Sequence, residues 1–133
     1  MKEISKEDNE MLKLAYEINE IMFKEFNKTT CSSCPKQKEV GCCLNCAHTD
    51  GYFDGFSLYD NPVAQEQLIK LKKSYGFSKK YGFFDIKKHC CKLPRKNRSC
   101  LCLSYCCKVE LENKAKGIVN TIRIIRKENG MLY

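Results

Sequence analysis

No run of apolar residues in this 133-residue sequence approaches the length of a membrane span, and Met1 to Asn27 is charged throughout, without the continuous apolar core of a signal peptide. A soluble, cytoplasmic protein with no membrane partner is expected. A glycine-rich phosphate loop is also missing, and Gly51 with Gly55 does not make a nucleotide fingerprint. No Ser/His/Asp arrangement has supporting spacing, so no catalytic set is assigned. Asp50, Asp54 and Asp60 lack the alternation and terminal glutamate of a calcium loop. Acid is scarce in one stretch: from Lys70 to Arg98, eleven Lys and Arg stand against Asp85 alone, so this segment carries +10 of a formal net charge of +8 and the remainder carries −2.

What is abundant is cysteine, at eleven residues. An odd number cannot pair completely within one molecule, and a cytosolic chain keeps its thiols reduced, so metal ligation is expected ahead of a disulfide scaffold. The first cluster is Cys31-x-x-Cys34, Cys42-Cys43 and x-x-Cys46. A two-residue spacer lets two sulfurs of one turn converge on a metal with backbone amides aimed at the thiolates, and Cys31/Cys34 with Cys43/Cys46 makes a complete four-thiolate set. The second cluster is Cys90-Cys91, Cys100, Cys102 and Cys106-Cys107. With Ser99 as a helix cap, Cys102 and Cys106 lie four residues apart on one helical face, Cys100 and Cys107 point elsewhere, and Cys91 approaches from the preceding loop.

Neighbouring cysteines diverge in most backbone conformations. Such pairs suit a bridge between two sites or one ligand beside a buried thiol, a common fate for free cysteine, and the buried-thiol reading is applied to Cys90, Cys100 and Cys107. The expected metal ligands are Cys31, Cys34, Cys42, Cys43, Cys46, Cys91, Cys102 and Cys106. Spacing is compatible with two sites, one larger cluster, or one site with spare thiols. His48 and His89 adjoin the clusters and read as surface residues, with nitrogen ligation the alternative.

The expected fold class is mainly α, a single domain over residues 1–133 in which amphipathic helices flank the two cysteine segments. Ser5 and Asp8 have capping-box spacing, and a first helix ending near Asn27 shows Met11, Leu14, Ala15, Ile18, Ile21, Met22 and Phe26 at spacings of three and four. Asn61-Pro62 starts a second helix, with Ala64, Leu68, Leu71 and Tyr75 on one face and Gly76 ending it. The repeated Tyr-Gly-Phe at Tyr75 and Tyr81 reads as a doubled turn. A last helix from Glu110 to Glu128 carries Ala115, Ile118, Val119, Ile122 and Ile125 inward, with Gly117 expected to mark close packing and Gly130 to close it. Tyr52, Phe53, Phe56 and Tyr59 read as cover for a small core or a metal site, with stacking on bases the alternative.

At Cys31-x-x-Cys34 with Gly41-Cys42-Cys43-x-x-Cys46, and at Cys91-Lys92-Leu93-Pro94-Arg95, Arg98-Ser99 and Cys102-Leu103-Ser104-Tyr105-Cys106, the sequence resembles the YkgJ-type family of zinc- or iron-chelating domains. The resemblance spans residues 31–107, and the second motif is its more specific part. It implies a cysteine-ligated metal centre, and related domains in flagellin lysine methylases resemble iron–sulfur sites. Cys90, Cys100 and Cys107 depart from the pattern.

The first function expected is an iron–sulfur protein, of the 4Fe-4S type, with a redox, electron-transfer or cluster-dependent role. Surplus thiols suit a cluster better than they suit four-ligand zinc. Arg95 and Arg98 would then tune the cofactor or bind an anion, and the 70–98 surface would dock an acidic protein or other anionic partner. The alternative is a zinc module that uses the same segment for nucleic acid or an acidic protein partner. A third account of the charge is internal: the cations stabilise thiolates.

Overall fold

The computed structural model describes residues 4–29, 46–54, 58, 60–88, 90–105 and 109–133, with side chains not described for 25–29. In chain order these form helix α1 (Lys6–Thr29), a 3₁₀ segment (Cys46–Tyr52), α2 (Pro62–Tyr75), β1 (Phe84–Asp85), β2 (Cys90–Cys91), a 3₁₀ turn (Arg95–Asn97), α3 (Cys100–Ser104) and α4 (Val109–Glu128). The fold is mainly helical. No helix among the described residues is long and apolar enough to cross a membrane.

Capping residues set the helix starts. Ser5 Oγ accepts from Asp8 N at 3.1 Å, Asn61 Oδ1 from Ala64 N at 3.1 Å with Pro62 at the first helical position, and Ser99 Oγ from Cys102 N at 3.1 Å. Helix α4 closes on Gly130, at φ 66°, with Met131 N donating to Arg126 O at 2.8 Å.

Helix α1 packs lengthwise on α4, but through a stripe rotated from the one its apolar spacing suggests, with Ala15 common to both and Ile18 and Met22 half-buried. Leu12, Ala15, Asn19 and Phe23 are buried, whereas Met11, Leu14 and Ile21 are 50%, 53% and 71% exposed. Two apolar stripes one residue apart differ by about 100° of rotation, and a polar residue decides between them. Asn19 Nδ2 donates to Leu103 O at 3.1 Å, and its Oδ1 accepts from Arg95. This satisfies an otherwise orphaned carbonyl at the end of α3, and it requires the Asn19 face to point inward.

Leu12, Ala15, Cys100, Leu103, Val119, Ile122 and Ile125 form one core between α1, α3 and α4. Phe53, Ala64, Leu68, Phe83, Leu93, Leu132 and Cys46 form a second, under α2. The doubled Tyr-Gly-Phe turn serves this second core: Gly76 and Gly82 both have positive φ, and the rings of Phe77 and Phe83 meet edge to face with centroids 4.9 Å apart.

Arg126 lies between the cores at 1% exposure. Its Nε donates to Tyr16 Oη at 3.0 Å, Nη1 to Arg98 O at 2.6 Å and Nη2 to Lys96 O at 3.0 Å, and Cys100 Sγ lies 3.8 Å from Nη1. The guanidinium thus ties the 95–99 turn to α4.

Gly117 does not mark close packing: a Cβ there would meet nothing within 4 Å. Gly82 is the opposite case. At φ 64° its added Cβ would lie 2.7 Å from Ala47 N and 2.9 Å from Cys46 Cβ. Gly117→Ala is expected to stabilise the chain by up to about 1 kcal/mol through helix propensity. Gly82→Ala is expected to destabilise it by at least about 1 kcal/mol through clash and left-handed strain. Urea midpoints of the two variants check both signs.

Candidate metal centre

The site is assembled from the segments that flank the second core. The Cys46–Tyr52 segment reverses direction through positive φ at Asp50, Gly51 and Tyr52. A tyrosine in that region is strained, and the strain is held by packing. Gly51 lies so close to the Phe83 ring that a Cβ would stand 2.9 Å from it. Asp50 is fixed by Lys72 Nζ at 2.6 Å, and Thr49 Oγ1 donates to Cys46 O at 3.2 Å. The backbone of Gly82 closes over the Cys46–Ala47 peptide from the other side.

Cys91 arrives on a two-stranded antiparallel hairpin that pairs Phe84 with Cys91 and Asp85 with Cys90. Asp85 Oδ1 accepts from Lys87 N and Lys88 N at 2.9 and 3.2 Å and shapes its turn. Alternation along β2 leaves Cys90 exposed and turns Cys91 inward. Cys102 arrives on α3, whose N-terminus is fixed by the Ser99 cap. Two residues earlier in α3, Cys100 is fully buried in the first core.

Cys46, Cys91 and Cys102 line one cavity of about 20 Å³, together with Gly51, Tyr52, Phe83, Phe84, Leu93, Arg98 and Ser99. The two cysteine segments of the sequence therefore meet. Two sulfurs already receive backbone hydrogen bonds, Cys46 from Phe83 N–H and Cys91 from Leu93 N at 3.4 Å. Burial pushes the Cys102 thiol up to about 11, against the pull of Arg98 and with the added push of Cys91 and Cys46. Cys46 is raised by burial, opposed by the Phe83 hydrogen bond and reinforced by Cys91. Cys100 is raised by burial against the nearby Arg126.

Thiols, sulfur-directed N–H groups and a cation at the rim match the donor chemistry of a thiolate-bound metal. Among the described residues no group of three or more His, Cys, Asp or Glu side chains is close enough to hold an ion. The remaining expected ligands, Cys31, Cys34, Cys42, Cys43 and Cys106, lie outside the described residues, as do Cys107, His89, Phe56 and Tyr59. The described cysteines, Cys46, Cys90, Cys91, Cys100 and Cys102, are free thiols.

Arg98 and Arg95 have different places. Arg98 lines the cavity and its Nε donates to Leu93 O at 2.9 Å. Arg95 turns to α1, where it meets Asn19 and lies 5.9 Å over the Phe23 ring. His48 is exposed. Tyr52 walls the cavity and Phe53 is buried, so these two aromatics act as cover. Sequence spacing does not point to Gly51 or Gly82 as parts of the cavity's frame, because their roles depend on chain segments distant in sequence.

No protein-family profile, no curated protein and no solved structure matches the chain. The resemblance to YkgJ-type domains rests on the quoted motifs.

In the metal-free protein, thiol reactivity should follow this placement. Among the described cysteines, iodoacetamide near pH 8 is expected to modify Cys90 first, half-buried Cys102 slowly, and Cys46 and Cys100 only in denaturant, because burial and protonation both protect these two. Peptide mapping by mass spectrometry checks the order, and early modification of Cys100 would contradict the core assignment.

Proposed function

We propose that the chain is a cysteine-ligated metalloprotein that carries an iron–sulfur cluster, of the 4Fe-4S type, in a redox or electron-transfer role within the reducing cytoplasm. The observation that supports this most is the convergence of Cys46, Cys91 and Cys102, from a loop, a hairpin and a helix, on one largely apolar cavity. Convergence of thiols from separate segments favours ligation over chance burial, since isolated free cysteines disperse through a core as Cys100 does. In this reading Cys31, Cys34, Cys42, Cys43 and Cys106 complete the ligand set.

A bound cluster supplies reversible electron transfer at a potential set by burial and hydrogen bonds to sulfur. The chain's own part is to hold thiolates under the Phe83 and Leu93 amides, exclude water with Tyr52 and Phe84, and place the Arg98 charge beside them. Zinc is the second reading. The cavity's 20 Å³ favours it, since a single ion requires less rearrangement of the walls than a cluster does.

Spectroscopy and metal analysis on anaerobically purified protein test the proposal. A dithionite-bleachable absorption near about 400 nm, with iron and sulfide in comparable amounts, is expected. Colourless protein with stoichiometric zinc would replace it with the second reading, and metal-free protein would overturn both. Cys91→Ser and Cys102→Ser are expected to lose most of the metal, whereas Cys100→Ala retains it.

The 70–98 segment supports docking of an acidic protein. Lys73, Lys79, Lys80, Lys87, Lys88 and Lys96 are exposed, and the ion pairs found in the segment are Lys70–Glu66 and Lys72–Asp50. The hairpin turn at Lys87 and Lys88 directly precedes the strand bearing Cys91, and exposed Ile86 beside it adds an apolar contact that suits a protein better than nucleic acid. Replacing Lys87, Lys88 and Lys92 by Ala is expected to weaken binding to polyglutamate and flatten its salt dependence. An unchanged slope would remove this surface from the docking account.

A further inference from the structure

A second cavity, of about 190 Å³, opens between α2, the Arg95–Asn97 turn and C-terminal residues Met131 and Leu132, and shares no lining residue with the cavity of Cys46, Cys91 and Cys102. Its walls combine Lys70, Lys96 and Arg126 with an apolar floor of Phe53, Leu71, Met131 and Leu132. We propose that this cavity binds a small organic anion, a carboxylate or phosphate monoester with a short apolar body.

Arg126 carries the argument. The residue is 1% exposed, and among the described residues its hydrogen bonds go to the Tyr16 hydroxyl, the carbonyls of Arg98 and Lys96, and the Cys100 sulfur, none of them a carboxylate. A buried charge whose hydrogen bonds go to neutral dipoles leaves a positive field that a bound anion relieves. These partners also fix the guanidinium in place, so its charge acts on the cavity from a preorganised position. Lys96 and Lys70 add charge at the mouth, and the sole acid paired with either among the described residues is Glu66, exposed, 3.5 Å from Lys70.

The other polar walls are shaped by the fold. Gln67 Nε2 donates to Gly130 O at 2.8 Å and its Oε1 accepts from Leu132 N at 3.1 Å, which holds the C-terminal segment over the cavity. Asn97 Nδ2 donates to Tyr75 Oη at 3.3 Å. An apolar floor with a few placed cations is the usual composition of a small-molecule site, and the volume, below the common range of about 300–1,000 Å³, limits the ligand to a small one. Inorganic phosphate alone would leave the floor unused.

Titration of the full-length protein with hexyl phosphate, hexanoate and inorganic phosphate, followed by calorimetry and amide NMR, tests the site. Hexyl phosphate or hexanoate is expected to bind at least about tenfold more tightly than inorganic phosphate, and the tighter of the two identifies the headgroup. Lys70→Ala/Lys96→Ala is expected to weaken that binding at least about tenfold, whereas Lys79→Ala/Lys80→Ala, which removes the same charge elsewhere, leaves it within about twofold. Equal loss in both double variants would reduce the effect to a diffuse field and overturn the proposal. So would absence of saturable binding, or inorganic phosphate binding as tightly as the organic anions. Arg126 is left intact because its removal would disturb the fold.

Discussion

The guanidinium of Arg126, sunk between two small cores, is the constraint on which the site's frame depends. A turn that runs from Lys96 to Arg98 and then enters a five-residue helix leaves backbone carbonyls facing the interior. Arg126 satisfies those of Lys96 and Arg98 at once, and Tyr16 on α1 holds the guanidinium from the other side. A neutral side chain of the same length would leave two buried acceptors unpaired, each costing about 1–3 kcal/mol. With the turn so fixed, Ser99 caps α3, Leu103 enters the first core and Cys102 points to the cavity.

The same turn gives a physical account of the second cysteine motif. Leu93 is buried in the second core, Pro94 leads the chain into the 3₁₀ turn, and Arg98 Nε closes back on Leu93 O. Ser104 Oγ returns to the Cys100 carbonyl, and the Leu103 carbonyl is taken by Asn19. Most of this motif is therefore scaffold, and its chemistry is concentrated in the thiols it aims. Cys100 and Cys102 show the division: two residues apart on one helix, one is fully buried packing and the other faces the cavity.

The basic segment is divided among several places on the surface. The lysines that read in the sequence as a single basic block separate in space. Lys72 is taken up by Asp50 and lies 4.4 Å over the Phe77 ring, and Lys92 Nζ reaches Gly76 O at 3.4 Å. Lys70 and Lys96 face the second cavity, while Lys87 and Lys88 stand at the hairpin turn. A linear count of charge gives their sum but not these separate assignments.

The helical class, the caps at Ser5, Asn61 and Ser99, the inward face of α4 and the divergence of Cys90 from Cys91 were legible in the sequence, because each follows from neighbours within about one helical turn or one strand step. The hairpin at Phe84–Asp85 and Cys90–Cys91 was not, since two-residue strands carry no periodicity. Nor was the rotation of α1, where two apolar stripes competed and a contact from Asn19 to Leu103, 84 residues away, chose between them. The meeting of Cys46 with Cys91 and Cys102, the close approach of Gly82 to Cys46, and the placement of Arg126 between the cores were decided by tertiary structure alone. These relations depend on how separate segments pack against one another, and local spacing constrains only the segment in which it occurs.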